Sequence, residues 1–183
     1  MTATANDDRK ERFRQLHAQT YGDLLRFVER RVPPAEAEDI VSTVFLTAWR
    51  RYDDLPDDAR PWLFGVARGV LANQTRGWLR RRALDVRMVA EDGPADDHSG
   101  AAASRVDLQR AWRAQRPADR EVLALVLFDG LTVEQAAEVA GVRVSTFAMR
   151  LSRARRRLLS AYVGTSDDAV LSITCPQAIK GQS

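Results

Sequence analysis

Apolar side chains recur every three or four residues along the first part of the chain, the spacing of a helix with one buried face. Pro33 and Pro34 end the first apolar stripe, an acidic loop over 53–58 follows the second, and Pro61 starts the third. The alternation that a half-buried strand needs is sustained nowhere, so the fold class is predicted to be all-α. The three stripes are Phe13, Leu16, Thr20, Leu24 and Val28; Ala37, Ile40, Val41, Val44, Phe45, Ala48 and Trp49; and Leu63, Val66, Ala67, Val70 and Leu71.

A change of composition divides the chain. Residues 83–104 hold five acids against one base, with glycine, proline and serine among them and no apolar period. We expect a flexible acidic linker there, joining an N-terminal bundle of three to four helices over 11–82 to a C-terminal four-helix unit over 105–162. Residues 163–183 also lack a helical period and are expected to form a flexible tail.

The C-terminal unit begins with two further apolar sets. Pro117 is suited to the first turn of a helix, and Asp129 and Gly130 are expected to end that helix. The apolar residues that these two helices would bury are Val106, Leu108, Ala111, Trp112, Val122, Leu123, Val126 and Leu127.

The segment LTVEQAAEVAGVRVSTFAMRLSRARRRL, residues 131–158, carries the signals of two helices joined by a short turn. Thr132 and Gln135 fit a capping box, in which each side chain satisfies a backbone N–H of the first turn. Gly141 can adopt the left-handed conformation that ends this helix and redirects the chain. One narrow buried stripe is predicted for the second helix: Phe147, Leu151, Ala154 and Leu158.

The opposite face of that second helix is strongly basic. Residues 143–157 contain six arginines and no acid. A solvated surface is the simpler interpretation of such a face. The combination of a capping box, a turn glycine, a buried stripe and an acid-free basic face is instead typical of a helix-turn-helix, whose second helix enters the major groove while arginines neutralise phosphates.

Composition reduces the number of possible functional classes. The net charge is only +3, but every basic residue except Lys10 and Lys180 is arginine, the side chain best suited to phosphate. Cys175 is the one cysteine, and neither a signal peptide nor a membrane-spanning run is evident, so a cytoplasmic protein is expected. His17 and His98 are isolated, with no metal-spaced cluster and no phosphate loop nearby. We therefore expect no enzyme, no cofactor and no metal.

Three stretches in this order resemble a minimal two-domain RNA polymerase sigma factor of the extracytoplasmic-function (ECF) group: AEDIVSTVFLTAWRRY, RPWLFGVARGVLANQTRGWLRRR and RPADREVLALVLFDGLTVEQAAEVAGVRVSTFAMRLSRARRRL. The resemblance covers about Glu11 to Tyr162. It implies a transcription initiation factor that binds bacterial core RNA polymerase, directs it to promoter DNA and assists melting of the minus-ten element. Residues 11–82 would correspond to sigma region 2 and residues 105–162 to sigma region 4.

The resemblance also implies roles for individual residues. Ser42 and Thr43 stand where relatives often have glutamine and glutamate, and Gly69 stands where they often have asparagine. Docking on the polymerase clamp would involve Glu38, Asp39, Ser42 and Thr43. The minus-ten element would be held by Arg68, Asn73, Arg76, Arg80 and Arg81. The upstream, minus-thirty-five element would be contacted by Arg143, Thr146, Ala148, Met149, Arg150, Ser152, Arg153 and Arg157.

One alternative is a stand-alone helix-turn-helix regulator whose N-terminal module senses a ligand or forms a dimer. That alternative predicts an apolar pocket or an exposed apolar seam in the N-terminal module. The sequence has instead six arginines and no acid over residues 60–82, which favours nucleic acid. The target promoters, the inducing signal and the existence of an anti-sigma factor are not determined by the sequence.

Overall fold

The computed structural model describes residues 2–78 and 99–173, with the side chains of residues 6–73 and 105–164. These ranges contain helices and no strand, so the prediction of an all-α fold is confirmed. The elements in chain order are α1 (Thr2–Glu29), α2 (Pro34–Arg50), a 3-10 helix (Tyr52–Asp54), α3 (Ala59–Trp78), α4 (Ser99–Arg113), α5 (Pro117–Leu127), α6 (Val133–Ala140) and α7 (Val144–Ile173).

Helices α1, α2 and α3 pack against one another and form the N-terminal half. Pro34 is the first residue of α2, while α3 begins at Ala59, two residues before the predicted Pro61. The three predicted stripes face inward, and α1 and α3 meet through Phe27 and Phe64, whose ring centroids lie 4.8 Å apart. Trp49 and Trp62 are partly buried against this core rather than fully exposed.

The C-terminal half consists of α4 to α7, with α7 in contact with each of the other three helices. The predicted capping box is present: the Gln135 N–H donates to the Thr132 hydroxyl oxygen at 3.2 Å, and the Thr132 N–H donates to the Gln135 side-chain oxygen at 3.0 Å. Gly141 ends α6 with φ of 68°. The turn chemistry therefore fixes the angle at which α7 leaves α6.

Two predicted boundaries differ from the structure. The first turn of α4 begins at Ser99, inside the predicted linker 83–104, because three consecutive alanines follow and alanine has the highest helix propensity. Helix α7 runs to Ile173, inside the predicted tail 163–183, since extending an existing helix gains a hydrogen bond with each residue added. The rest of the predicted linker, 83–98, the end of the predicted N-terminal bundle, 79–82, and the rest of the predicted tail, 174–183, lie outside the described residues.

Some of the apolar residues predicted to be buried in the C-terminal half are exposed instead. Ala111 and Trp112 are buried as predicted, but the side chains of Val106 and Leu108 are exposed. Leu127, at the end of α5, is exposed as well. Helix α4 packs mainly on α7, so only the narrow strip of α4 that faces α7 is buried.

The two halves are in direct contact. Helix α3 of the N-terminal half packs on α6 of the C-terminal half, and one continuous apolar core extends through both. Ala136 and Ala137 on α6 are fully buried, and their small side chains permit close approach of the helices. Among the described helices, none has the length and apolar character required to span a bilayer.

Candidate nucleic-acid interface and polymerase docking face

Helix α7 places its apolar and basic residues on opposite sides. Phe147 and Ala154 are fully buried and Leu151 is nearly so, which anchors the helix on the rest of the C-terminal half. Leu158 completes the predicted stripe and is partly buried. With 3.6 residues per turn, the positions between these anchors must point away from the core.

Seven of the eight predicted upstream-element residues lie on α7, and Arg143 immediately precedes this helix. Seven of the eight are exposed and Thr146 is half-buried: Arg143, Thr146, Ala148, Met149, Arg150, Ser152, Arg153 and Arg157.

The arginines of this face differ in their availability. Arg157 donates to Asp119 on α5 at 2.6 Å, so its charge is already partly neutralised within the C-terminal half. Arg143, Arg150 and Arg153 form no ion pair within the part of the chain that the structure describes. Among the four arginines predicted to contact the upstream element, these three are therefore best placed to meet phosphate without breaking an existing contact.

Three of the five predicted minus-ten residues, Arg68, Asn73 and Arg76, lie on α3. Arg68 and Asn73 are exposed, on the side of the helix away from buried Leu63, Ala67 and Leu71. Gly69 is exposed next to them, and a Cβ at this position would meet no other atom within 4 Å. The side chain of Arg76 and the whole of Arg80 and Arg81 lie outside the described residues.

The predicted polymerase-docking residues form one exposed face of α2. Glu38, Asp39, Ser42 and Thr43 are all exposed, at the i, i+1, i+4 and i+5 positions that share one side of a helix. The Thr43 hydroxyl donates to the Asp39 carbonyl oxygen at 2.8 Å and is thereby held against the helix. The structure places these four residues on one face, and their docking role remains a prediction.

Sequence reasoning missed one feature beside this face. Leu46 has 56% of its surface exposed, one turn beyond Ser42 and Thr43, and it borders an open apolar groove between α1 and α2. The only sequence signal was that Leu46 falls outside the buried stripe of α2. The groove is lined by Phe13, His17, Tyr21, Val41, Ser42, Phe45, Leu46 and Trp49.

Comparison with known proteins finds sigma-factor region models in both halves of the chain. The family model "Sigma-70 region 2" matches residues 16–85, and the model "Sigma-70, region 4" matches residues 116–158. The chain is 30% identical over 177 residues to the ECF RNA polymerase sigma factor SigC of Mycobacterium tuberculosis, covering 87% of this chain and 95% of that protein. It is 31% identical over 144 residues to the RNA polymerase sigma factor CnrH of Cupriavidus metallidurans, covering 69% of this chain and 73% of that one.

A solved structure shows the same fold. The sigma factor RpoE of Bartonella quintana, crystallised with the anti-sigma factor NepR, superimposes with a TM-score of 0.62 at 24% identity, covering 82% of this chain and 96% of that one. The two region models occur in the order and at the places where the two helical halves lie. The chain therefore belongs to the ECF family of RNA polymerase sigma factors, which direct RNA polymerase to promoters.

Proposed function

We propose that three separate faces of this sigma factor make the contacts required for transcription initiation. The α2 face docks on core RNA polymerase, the exposed side of α3 holds the minus-ten element, and the outer side of α7 reads the minus-thirty-five element. The observation that carries this proposal is the acid-free arginine face of α7, held outward by three buried anchors. In this scheme the chain acts by binding in the cytoplasm and catalyses no reaction itself.

The residues of α7 indicate how the upstream element is read. Arg143, Arg150 and Arg153 contact phosphates, which positions the helix but carries no sequence information. Ala148 and Met149 face the bases and cannot form bidentate hydrogen bonds. Specificity therefore rests on apolar contacts such as those with thymine methyl groups, on the hydroxyl of Ser152, and on DNA shape.

The exposed side of α3 has the chemistry of a single-strand contact. Arg68 supplies a cation for the phosphate backbone, and the Asn73 amide can both donate to and accept from a base edge. Because Gly69 leaves open space between them, the strand can approach the helix backbone closely at this point.

Binding of core polymerase to the α2 face is tested by charge reversal. We expect Glu38→Lys combined with Asp39→Lys to lower the affinity for core polymerase, because two exposed anions of the proposed interface become cations. Asp7→Lys with Asp8→Lys is the matched control, since it makes the same charge change at exposed positions of α1. Both proteins are incubated with core polymerase, and the bound fraction is measured across a concentration series. Equal affinity of the two double variants would refute the assignment of the α2 face.

A further inference from the structure

An ion pair connects the basic side of α7 to the neighbouring helix α5. The Arg157 guanidinium donates to an Asp119 carboxylate oxygen at 2.6 Å. Asp119 lies in the first turn of α5, where the free backbone N–H groups of the helix also favour an anion, and only 13% of its side chain is exposed. The Arg157 side chain is 46% exposed. The pair therefore lies at the surface, with the acid set further in than the arginine.

Arg157 belongs to the same row of α7 as two of the proposed phosphate contacts. Arg150, Arg153 and Arg157 are spaced three and four residues apart, which places them in succession along one side of the helix. At a rise of about 1.5 Å per residue, the row extends over about 10 Å. Within the described residues Arg150 and Arg153 form no ion pair, whereas Arg157 does. One of the three cations in this row is thus occupied by an acid of the same chain.

This acid opposes a phosphate contact by Arg157 in either of two ways. If the guanidinium turns to a phosphate, its hydrogen bond to Asp119 is lost and the carboxylate is left without its cation. If that bond is kept, the phosphate can use only the remaining N–H donors of the guanidinium and lies within about 10 Å of the carboxylate, the distance over which like charges still repel at 0.1 M salt. In both cases a carboxylate competes with DNA for one arginine.

Holding α5 against α7 does not depend on this ion pair. Val122, Leu123 and Leu125 of α5 are buried in the apolar core that also contains the buried anchors of α7. Ion pairs at the surface contribute little to stability, because water and salt screen them. Loss of the pair should therefore leave the packing of the two helices intact, and its effect should appear in DNA binding.

We propose that Asp119 is a positioning residue that competes with DNA phosphate for Arg157 and thereby limits how tightly α7 holds the upstream element. This inference rests on the proposed orientation of α7, and it assigns a role in DNA binding to a residue outside the recognition helix. Asp119 itself contacts no DNA in this scheme and acts only through Arg157. The consequence is an upstream contact that dissociates more readily than three free arginines would allow.

The first test removes the charge of the acid and keeps its shape. Asp119→Asn is expected to raise the promoter affinity of polymerase loaded with the variant. It should also steepen the slope of log affinity against log salt by up to about 0.9, the contribution of one additional phosphate contact. When salt is raised from roughly 50 to roughly 200 mM, the variant should then lose up to about 3.5-fold more affinity than the natural chain. Circular dichroism checks that helix content is kept.

Asp107→Asn is the matched control for this substitution. Asp107 is also an acid of the C-terminal half, with 17% of its side chain exposed, and it accepts a hydrogen bond from Arg110 at 3.3 Å. Both residues of this pair lie on α4, so the substitution makes the same change in net charge without freeing an arginine of α7. Its affinity and salt slope should equal those of the natural chain. Equal effects of the two substitutions would reveal a general effect of net charge and would overturn the inference.

A second test determines whether Asp119 acts through Arg157. In a chain that already carries Arg157→Gln, Asp119→Asn should have little further effect, because no cation remains for the acid to occupy. An equal gain with and without Arg157→Gln would overturn the inference. Arg157→Gln alone gives a check that does not require the Asp119 variant to fold. It should lower the salt slope by clearly less than 0.9, whereas a full loss of about 0.9 would mean that Asp119 does not compete with DNA.

The inference and the proposed orientation of α7 fail in different ways. Arg150→Gln is measured in the same series, because the proposed orientation requires it to lower the salt slope by about 0.9. If Arg150→Gln has no effect, the proposed orientation is wrong and the inference falls with it. If Arg150→Gln lowers the slope but Asp119→Asn binds like the natural chain, the orientation stands and the role of Asp119 is refuted.

Discussion

Replacing Arg150 and Arg153 by glutamine gives the sharpest test of how α7 meets DNA. Both side chains are exposed and form no ion pair within the described residues, so their full charge is available to phosphate. Each lost phosphate contact should lower the slope of log affinity against log salt by about 0.9, hence by about 1.8 for the double variant. When salt is raised from roughly 50 to roughly 200 mM, the double variant should therefore lose about twelvefold less affinity than the natural chain.

The assay measures promoter binding by polymerase loaded with each variant across a salt series, on matched and scrambled upstream elements. Arg113→Gln is the matched control, because Arg113 is also an exposed arginine of the same half without an ion pair among the described residues, and it lies on α4 rather than on α7. Its salt slope should equal that of the natural chain. Arg157→Gln should change the slope by less than one full contact, since Arg157 is already paired with Asp119.

Substitution of Met149 or Ser152 should act differently. Neither side chain is charged, so the salt slope should stay nearly constant while the preferred upstream sequence changes. The opposite pattern, in which the arginine variants alter sequence preference and the Met149 and Ser152 variants alter only the slope, would mean that α7 is rotated from the proposed orientation. If neither pair of substitutions has an effect, α7 is not the recognition helix.

Three further predictions concern the folded chain. Phe147→Ala removes a fully buried ring from the anchor of α7 and should lower the free energy of unfolding by about 3–5 kcal/mol in denaturant titrations; a loss below about 1 kcal/mol would contradict the packing of α7 described above. Thr132→Ala removes the capping hydroxyl of α6 and should lower it by about 1 kcal/mol, whereas Thr132→Ser should leave it nearly unchanged. Limited proteolysis should cut between about Arg87 and Arg105 and yield two helical fragments that separate on a denaturing gel. Resistance there, together with cleavage within 36–49, would indicate a single fused domain.

Local signals along the sequence determined most of the helical framework. Pro34 begins α2, Thr132 and Gln135 cap α6, and Gly141 ends it in the left-handed conformation, all as the sequence predicts. These features depend on residues within about four positions of one another, and the chemistry of a cap or turn is complete within that distance. For the same reason the exposed face of α7 could be predicted from periodicity alone.

Tertiary packing decided which predicted apolar residues are buried. Val106 and Leu108 follow the same spacing as Ala111 and Trp112, yet they are exposed, because α4 has its main neighbour, α7, on one narrow side. Periodicity identifies residues that share a helix face. It does not determine how wide a strip the neighbouring helix will cover.

The contact between the two halves was decided by tertiary structure alone. In the sequence Asp129 precedes Gly130 and is typical of an exposed turn residue, and Arg30 and Arg31 are typical of a solvated helix end. The fold brings them together across 98 and 99 positions and buries all three side chains. An ion pair between distant residues has no periodic or local signature, because it depends on where the two halves meet and on the apolar contacts of α3 and α6 that hold them there.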